Sequence, residues 1–420
     1  MSTTSPPEDN RPDDDDLDPT TDFQGIERLS KDLRKASIDL RPGEARYLVD
    51  TYYQQQEQRI RSNSRLTQAA KIGEPNAILK WDYSNMKRRE RDLQLALGSF
   101  AANYRTGAWL QHICGVGPVI SAGLLAYIDI RQAPTVGHIW NFAGLNPDVT
   151  WLGKEGAKKL VGEVLADGSK VSPEILAEIA KRLEIEPAAL TIDLSGEITR
   201  AALEPVIVAR LGKRRASALL TSVLGDSDVL TEKLFQDICT KAHRHPENIR
   251  KMLRDPATGA LEFTLDKLTK ALAKKPWCGR LKILSAFKAG ECFVKVQNNE
   301  RDFYGSIYRK RKDWELDRNL AKGYSDQAAA WLLRVGRSTE AYKYYKQGML
   351  PPGHIHARAR RYAVKIFLAH VHAVMFEDFH GTKAPEPYAF AHLQGDHRHY
   401  IAPPNWPGDF TGRPLKRLLG

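Results

Sequence analysis

The sequence is poor in cysteine, and the few it has are scattered. Cys114, Cys239, Cys278 and Cys292 form no C-x-x-C pair. That excludes a disulfide framework and a zinc knuckle, and it fits reduced structural thiols in a cytoplasmic protein. Long apolar runs are missing as well. The longest candidate, residues 366–376, is interrupted by His370 and His372, so no membrane span or membrane partner is expected. The N-terminus is acidic and does not read as a signal peptide. Alternating apolar–polar strands are scarce and no internal repeat is evident. The expectation is a mainly α, cytoplasmic, bacterial-type protein, nucleoid-associated when bound.

Charge is present in quantity and is uneven. The 420 residues carry a formal net charge of +12. Residues 1–22 hold eight acids and one base, a net −7, so residues 23–420 carry +19. A body this basic suits a polyanion, although a basic but otherwise ordinary protein has the same composition. Residues 1–24 are polar, acidic and Pro-rich and are expected to stay disordered. They read as a solubilising tail or as an internal decoy for the basic body.

Helical periodicity dominates the rest. Residues 25–108 read as a helical arm. Tyr47, Leu48, Tyr52, Ile60 and Leu66 mark one long helix, and Gly73-Glu74-Pro75 breaks it. Ile78, Leu79, Trp81, Met86, Leu93, Leu97 and Phe100 mark a second. The pair is either a plain helical hairpin or a coiled-coil arm that makes the protein a homo-oligomer. Residues 109–153 form a compact motif block, and 154–275 read as a helical insertion. Within the insertion, Ser172-Pro173-Glu174 is a helix start, and Glu186-Pro187 opens another helix. Residues 276–381 are helical and basic, and 382–420 read as an extended Pro/His-rich tail wrapping the surface.

The block at 109–128 reads W-L-Q-H-I-C-G-V-G-P-V-I-S-A-G-L-L-A-Y-I. One helix ends near Ile113. Gly115 and Gly117 make a turn without a Cβ in the way, so backbone can approach a ligand closely. Pro118 then takes the first helical position with its φ already set. Free amides and the helix dipole at that end favour a phosphate. Val116 is the apolar plug between the helices, Ala122 is small enough for a close crossing, and Leu125 faces the core. This is the pattern of a helix–hairpin–helix. Gly115, Val116, Gly117, Pro118 and Val119 are its candidate grip on duplex DNA backbone. Such a grip has little sequence preference and a steep salt dependence. The bland alternative is a purely structural pair of helices.

A second segment, T-V-G-H-I-W-N-F-A-G-L-N-P at 135–147, follows, with Gly144 suited to end its helix. Together, G-V-G-P-V-I-S-A-G-L-L-A and F-A-G-L-N-P resemble the C-terminal domain of the insertion-sequence 110/116/902 transposases. The likeness is tight over 109–147 and looser over 277–380. The resemblance implies DNA transposition or recombination, a structured guide RNA as a further partner, and a coiled coil before the hairpin. It also implies a RuvC-like half with four metal-binding acids, and a nucleophilic serine. No strand-borne Asp set precedes the hairpin here. Leu152 stands about where the serine would be, with Thr150 the nearest hydroxyl. No catalytic residue is therefore assigned.

Two C-terminal constellations complete the reading. Residues 301–318 interleave Arg301, Arg309, Lys310, Arg311, Lys312 and Arg318 with Phe303, Tyr304, Tyr308 and Trp314. Aromatics packed inward and basic groups outward would suit nucleic acid. In the helix after Pro351-Pro352-Gly353, Arg358, Arg361 and Lys365 share one face, which could track phosphates. A second face, with Ile355, Ala359, Tyr362, Ile366, Ala369, Ala373 and Phe376, is expected to be buried. Eight histidines fall in 354–399: His354, His356, His370, His372, His380, His392, His397 and His399. With Glu377 and Asp396 they leave a divalent metal open, although no cofactor is evident and two H-x-H pairs make no site by themselves. The alternatives to a transposase-like DNA-binding protein are a metal-dependent nuclease using that cluster and a non-catalytic adaptor.

Overall fold

The structure is a computed structural model. It describes residues 29–73, 77–147, 149–168, 173–186, 200–224, 232–255, 258–261, 264–385 and 401–420. Among these the chain is mainly helical and contains no strand, as its periodicity implies. Two isolated bridges, Tyr104–Arg413 and Arg254–Leu261, are the β pairing present among them.

Helices α1 (Leu29–Ser37), α2 (Pro42–Lys71) and α3 (Ala77–Ala102) come first. Pro42 opens α2, where a missing amide costs nothing, and the Glu44 carboxylate accepts from the Arg41 amide at 2.7 Å. Gly73, at φ +78°, ends the turn after α2. The two long helices run antiparallel. Tyr52, Gln56 and Arg59 of α2 converge on Glu90 of α3, with Arg59 ion-paired to it. Burial plus this carboxylate pushes the Tyr52 phenol up to about 12.

Next come α4 (Arg105–His112), α5 (Pro118–Tyr127), a 3-10 turn (Ile130–Gln132) and α6 (Val136–Phe142). Helix α5 is the centre of the core. All eight residues from Val119 to Ala126 are buried. It touches α2, α3, α4 and the segment around Leu284. Gly123 allows this: a Cβ there would lie 2.5 Å from Leu284 Cδ2. Leu284 belongs to a π-helical turn (Ile283–Ala289) between α14 (Gly279–Lys282) and α15 (Gly290–Val296).

The remaining C-terminal helices are α16 (Tyr304–Leu320), α17 (Ser325–Leu332), α18 (Glu340–Lys346), α19 (Pro352–His380) and α20 (Lys416–Leu419). Phe100, Trp109, Leu281, Phe293, Tyr304, Phe367 and Leu415 join α5 in one core. Residues 401–420 fasten onto it. Trp109 donates to Pro404 O at 2.8 Å, and Trp406 donates to Glu377 at 3.0 Å. The far end is helical, not extended, because Leu418 and Leu419 turn inward.

Between these lie α7 (Gly153–Gly168), α8 (Pro173–Arg182), α9 (Arg200–Leu211), α10 (Lys213–Leu224), α11 (Glu232–Lys241), α12 (Pro246–Leu253) and α13 (Leu265–Ala273). They hold two clusters of their own. One gathers Val161, Phe235, Ile238 and Leu272, the other Ile179, Leu203, Ile207 and Leu220. The buried Cys239 thiol is raised to about 11 by burial. The caps proposed at Ser172 and Glu186-Pro187 involve Ser172 and Pro187, which lie outside the described residues, as does the acidic stretch 1–24.

One expectation about a face is corrected. Tyr362 is 36% exposed, while Ala363, Val364, Phe367 and Leu368 are buried. Helix α19 touches α4, α6, α15 and α16, so its buried arc is far wider than one stripe. In the arm, Ile60, Ile78, Leu79 and Trp81 are exposed, Trp81 by 67%. Burial in α2 stops at Gln55, and in α3 it begins at Glu90. No described helix is long and apolar enough to cross a membrane.

Candidate nucleic-acid interface

Helix α4 ends with the Ile113 amide on Leu110 O, and the Val116 amide then reaches back to Ile113 O at 2.9 Å. Gly115 makes the reversal at φ +88°, a conformation that L side chains avoid. A Cβ there would also meet Val296 Cγ2 at 3.2 Å and Phe293 Cδ1 at 3.4 Å. The inner side of the turn is therefore closed by α15. Val116, between the two helices, is buried.

Gly117 differs from Gly115. It is the N-cap of α5 at φ −85°, and a Cβ there would meet nothing within 4 Å. The first backbone bond into α5 runs from the Ser121 amide to Gly117 O at 3.0 Å. The Val119 and Ile120 amides precede it, at the positive end of the helix dipole. This end opens into a cleft of about 470 Å³ whose lining includes Gly117, Pro118, Val119, Lys288, Glu291 and Lys295. Glu291 is taken up by an ion pair with Arg360. Lys288 lies over the Tyr53 ring at 4.5 Å, and Lys295 is exposed. A helix N-terminus beside two lysines can hold a phosphate, and the open Gly117 lets a backbone approach.

Sequence reasoning missed Lys288 and Lys295. They lie seven residues apart, Lys288 in the π-helical turn and Lys295 in α15, a spacing of about two turns that could have revealed them. The residues singled out farther along the chain fare differently. Arg311 and Arg358 both turn to Glu315, whose side chain is 1% exposed. Arg311 Nη2 lies 2.7 Å from Oε1 and Arg358 Nε lies 2.6 Å from Oε2. The Tyr324 hydroxyl donates to the same carboxylate. Burial alone would raise the Glu315 carboxyl, but the bonds from Tyr324, Arg358 and Arg311 hold it below the ordinary range. Arg311 also stacks on Trp314 at 4.0 Å and Tyr362 at 4.6 Å. Both guanidiniums thus serve an internal network that ties α16 to α19. Arg309 is exposed and donates to Asn298 at 3.3 Å. Arg361 is exposed, and Lys365 lies over the Trp140 ring at 5.1 Å. In α16, Tyr304 and Tyr308 point inward as anticipated, whereas Trp314 is exposed beneath the guanidiniums of Arg311 and Arg318.

Most of the described histidines singled out in 354–399 are occupied with structure. His370 is buried, 2.7 Å from Ile401 O through Nε2 and 2.8 Å from the Tyr304 hydroxyl through Nδ1. A carbonyl only accepts, so Nε2 carries the proton and Nδ1 accepts from Tyr304. Burial depresses its pKa to about 4. His372 likewise donates to Ala133 O at 2.9 Å. His356 meets the Tyr308 hydroxyl at 2.8 Å. Among the described residues no group of three or more His, Cys, Asp or Glu is placed to hold a metal. His392, Asp396, His397 and His399 lie outside the described residues.

No family model, no curated protein and no solved structure matches this chain.

Proposed function

We propose that the chain is a transposase-like DNA-binding protein of a mobile element. In this reading the turn from Gly115 to Val119 is a helix–hairpin–helix, and it grips duplex backbone during transposition or recombination. The observation that carries the proposal is the open N-terminus of α5. Gly117 faces a cleft without obstruction, and Lys288 and Lys295 border it. The net +19 of residues 23–420 supports the same class of partner. Lys288 and Lys295 join Gly117 and Pro118 as the phosphate contacts. A guide RNA is a further partner on the strength of the motif resemblance. The reading assigns no catalytic residue.

The arm supports self-association. Past Gln55 in α2 and before Glu90 in α3 no apolar residue is buried among those described, yet Ile60, Ile78, Leu79 and Trp81 face outward. A second copy would cover them.

Salt titration of duplex binding tests the grip. Affinity should fall steeply between 50 and 200 mM salt (about 0.9 in log–log slope per phosphate neutralised). Replacing Lys288 and Lys295 by Gln should lower that slope by about 2. Absence of duplex binding at low salt would sink the reading, and an unchanged slope would remove the two lysines from it.

A further inference from the structure

A second basic surface lies away from the α5 cleft, where the chain leaves α6 and meets α14. Several bonds hold it together. The Cys278 amide donates to Phe142 O at 2.9 Å, and the Trp151 indole donates to Ala273 O at 2.8 Å. Gly144, at φ +64°, lies flat on Trp277, and a Cβ there would sit 2.8 Å from the indole Cγ. Trp277 in turn carries Lys282 Nζ at 4.1 Å over its ring, and Trp151 carries Lys275 Nζ at 5.0 Å.

Three cations gather here. Lys282 is depressed first by burial, then by the like charges of Arg361 and Lys275. No ion pair to a carboxylate joins Lys275, Lys282 or Arg361 among the described residues. Like charges gathered with no ion-paired acid among the described residues repel one another, and a bound polyanion relieves that repulsion. The same surface exposes large aromatic rings, Trp151 by 52% and Phe142 by 43%. Trp151 is also oriented in advance by its indole bond. A duplex offers phosphates to cations but no open base face to a ring, whereas unpaired nucleotides offer both.

The geometry points to a binding surface for an unpaired stretch of nucleic acid, with bases stacked on Trp151 and Phe142 and phosphates held by Lys275, Lys282 and Arg361. The inference rests on the nucleic-acid reading above and adds to it a strand class and a place. Trp277 is a positioning residue: it supports Lys282 and fits against Gly144.

The test uses the full chain and fluorescently labelled oligonucleotides: oligo-dT, oligo-U and a duplex of the same length. A Phe142→Ala/Trp151→Ala variant, checked for helicity by circular dichroism, should lose about tenfold or more in affinity for single strands, the scale of one lost stack. Its duplex affinity should stay within about twofold, because stacking has no part in backbone grip. Trp151→Phe should restore much of the single-strand binding, since it returns a ring. Lys275→Gln/Lys282→Gln, which leaves the aromatic rings in place, should flatten the salt dependence for single strands. Tighter binding of oligo-dT or of oligo-U, or equal binding, supports the surface and names the strand as DNA, RNA or either. Duplex binding with no single-strand binding, or single-strand affinity that both variants leave intact, overturns this inference alone. No binding of any oligonucleotide overturns it together with the reading it rests on.

Discussion

Gly117→Asp separates the fold from the grip. The position is the N-cap of α5, at φ −85° and ψ 175°, which any residue adopts. An added side chain meets nothing within 4 Å. Aspartate is among the best N-caps and would accept from the Val119 or Ile120 amide. It gains a few tenths of a kcal/mol over Gly as a cap, and about 0.4–1 kcal/mol from a stiffer unfolded chain. Stability should therefore hold or rise slightly.

Affinity should move the other way. The new carboxylate takes the amides that would hold a phosphate and puts a negative charge beside it. At about 4 Å the repulsion is about 1 kcal/mol in water and about 4 kcal/mol at an effective dielectric of 20. The lower figure already means about a fivefold weaker complex. Thermal denaturation and a duplex-binding titration at fixed low salt, run on the same preparation, provide the assay. Gly115→Ala is the contrasting variant. Its φ of +88° and the 3.2 Å approach to Val296 make it a stability mutant, about 1 kcal/mol or more, so it cannot report on binding. A Gly117→Asp protein that melts like the parent and binds duplex equally well would refute the reasoning.

Two further outcomes concern stability. His370 is neutral in the fold, with its pKa lowered from 6.5 to about 4. The unfolded chain takes up a proton first as pH falls, so the His370 contribution is complete above about 6.5 and is lost as pH drops toward 4. The full loss is about 3 kcal/mol at 1.36 kcal/mol per pH unit. Urea denaturation at pH 7 and pH 4.5 should show it, and His370→Gln should show a shallower acid loss; an identical pH profile in the variant would refute the assignment. Glu315→Gln leaves Arg311 and Arg358 without their shared charge and should cost about 3 kcal/mol, the low end for a broken buried pair, because both guanidiniums are partly exposed. Denaturant unfolding checks it, and a loss below about 1 kcal/mol would mean the network does not tie α16 to α19.

What could be read without coordinates was local, and what could not depended on distant partners. The helix start at Pro118 and the reversal at Gly115 follow from backbone sterics over a few residues, so the path from α4 through the turn into α5 was legible. The fate of Arg358 was not. Its spacing with Arg361 and Lys365 suggests a phosphate-tracking face, but Glu315, 43 residues earlier, claims its guanidinium. Tyr362 shows the same limit. A single apolar stripe assumes one neighbour, and α19 has several.

The candidate site carries both lessons. The run after Pro118 is so apolar that α5 becomes the centre of the core, with neighbours on all sides. Burial of Val119–Ala126 leaves this helix accessible at its ends, and the Gly117-Pro118 end is the one that presents open amides to a cleft. The residues that complete that end, Lys288 and Lys295, come from a helix some 170 residues later in the sequence, brought there by the Gly123–Leu284 contact. The small residue at 123 therefore acts twice: it lets the core close around α5, and it sets the lysine-bearing helix beside the open amides. Any change that pushes Leu284 off Gly123 should disturb the cleft along with the core, which is why substitutions at Gly117, and not in the helix behind it, isolate function from fold.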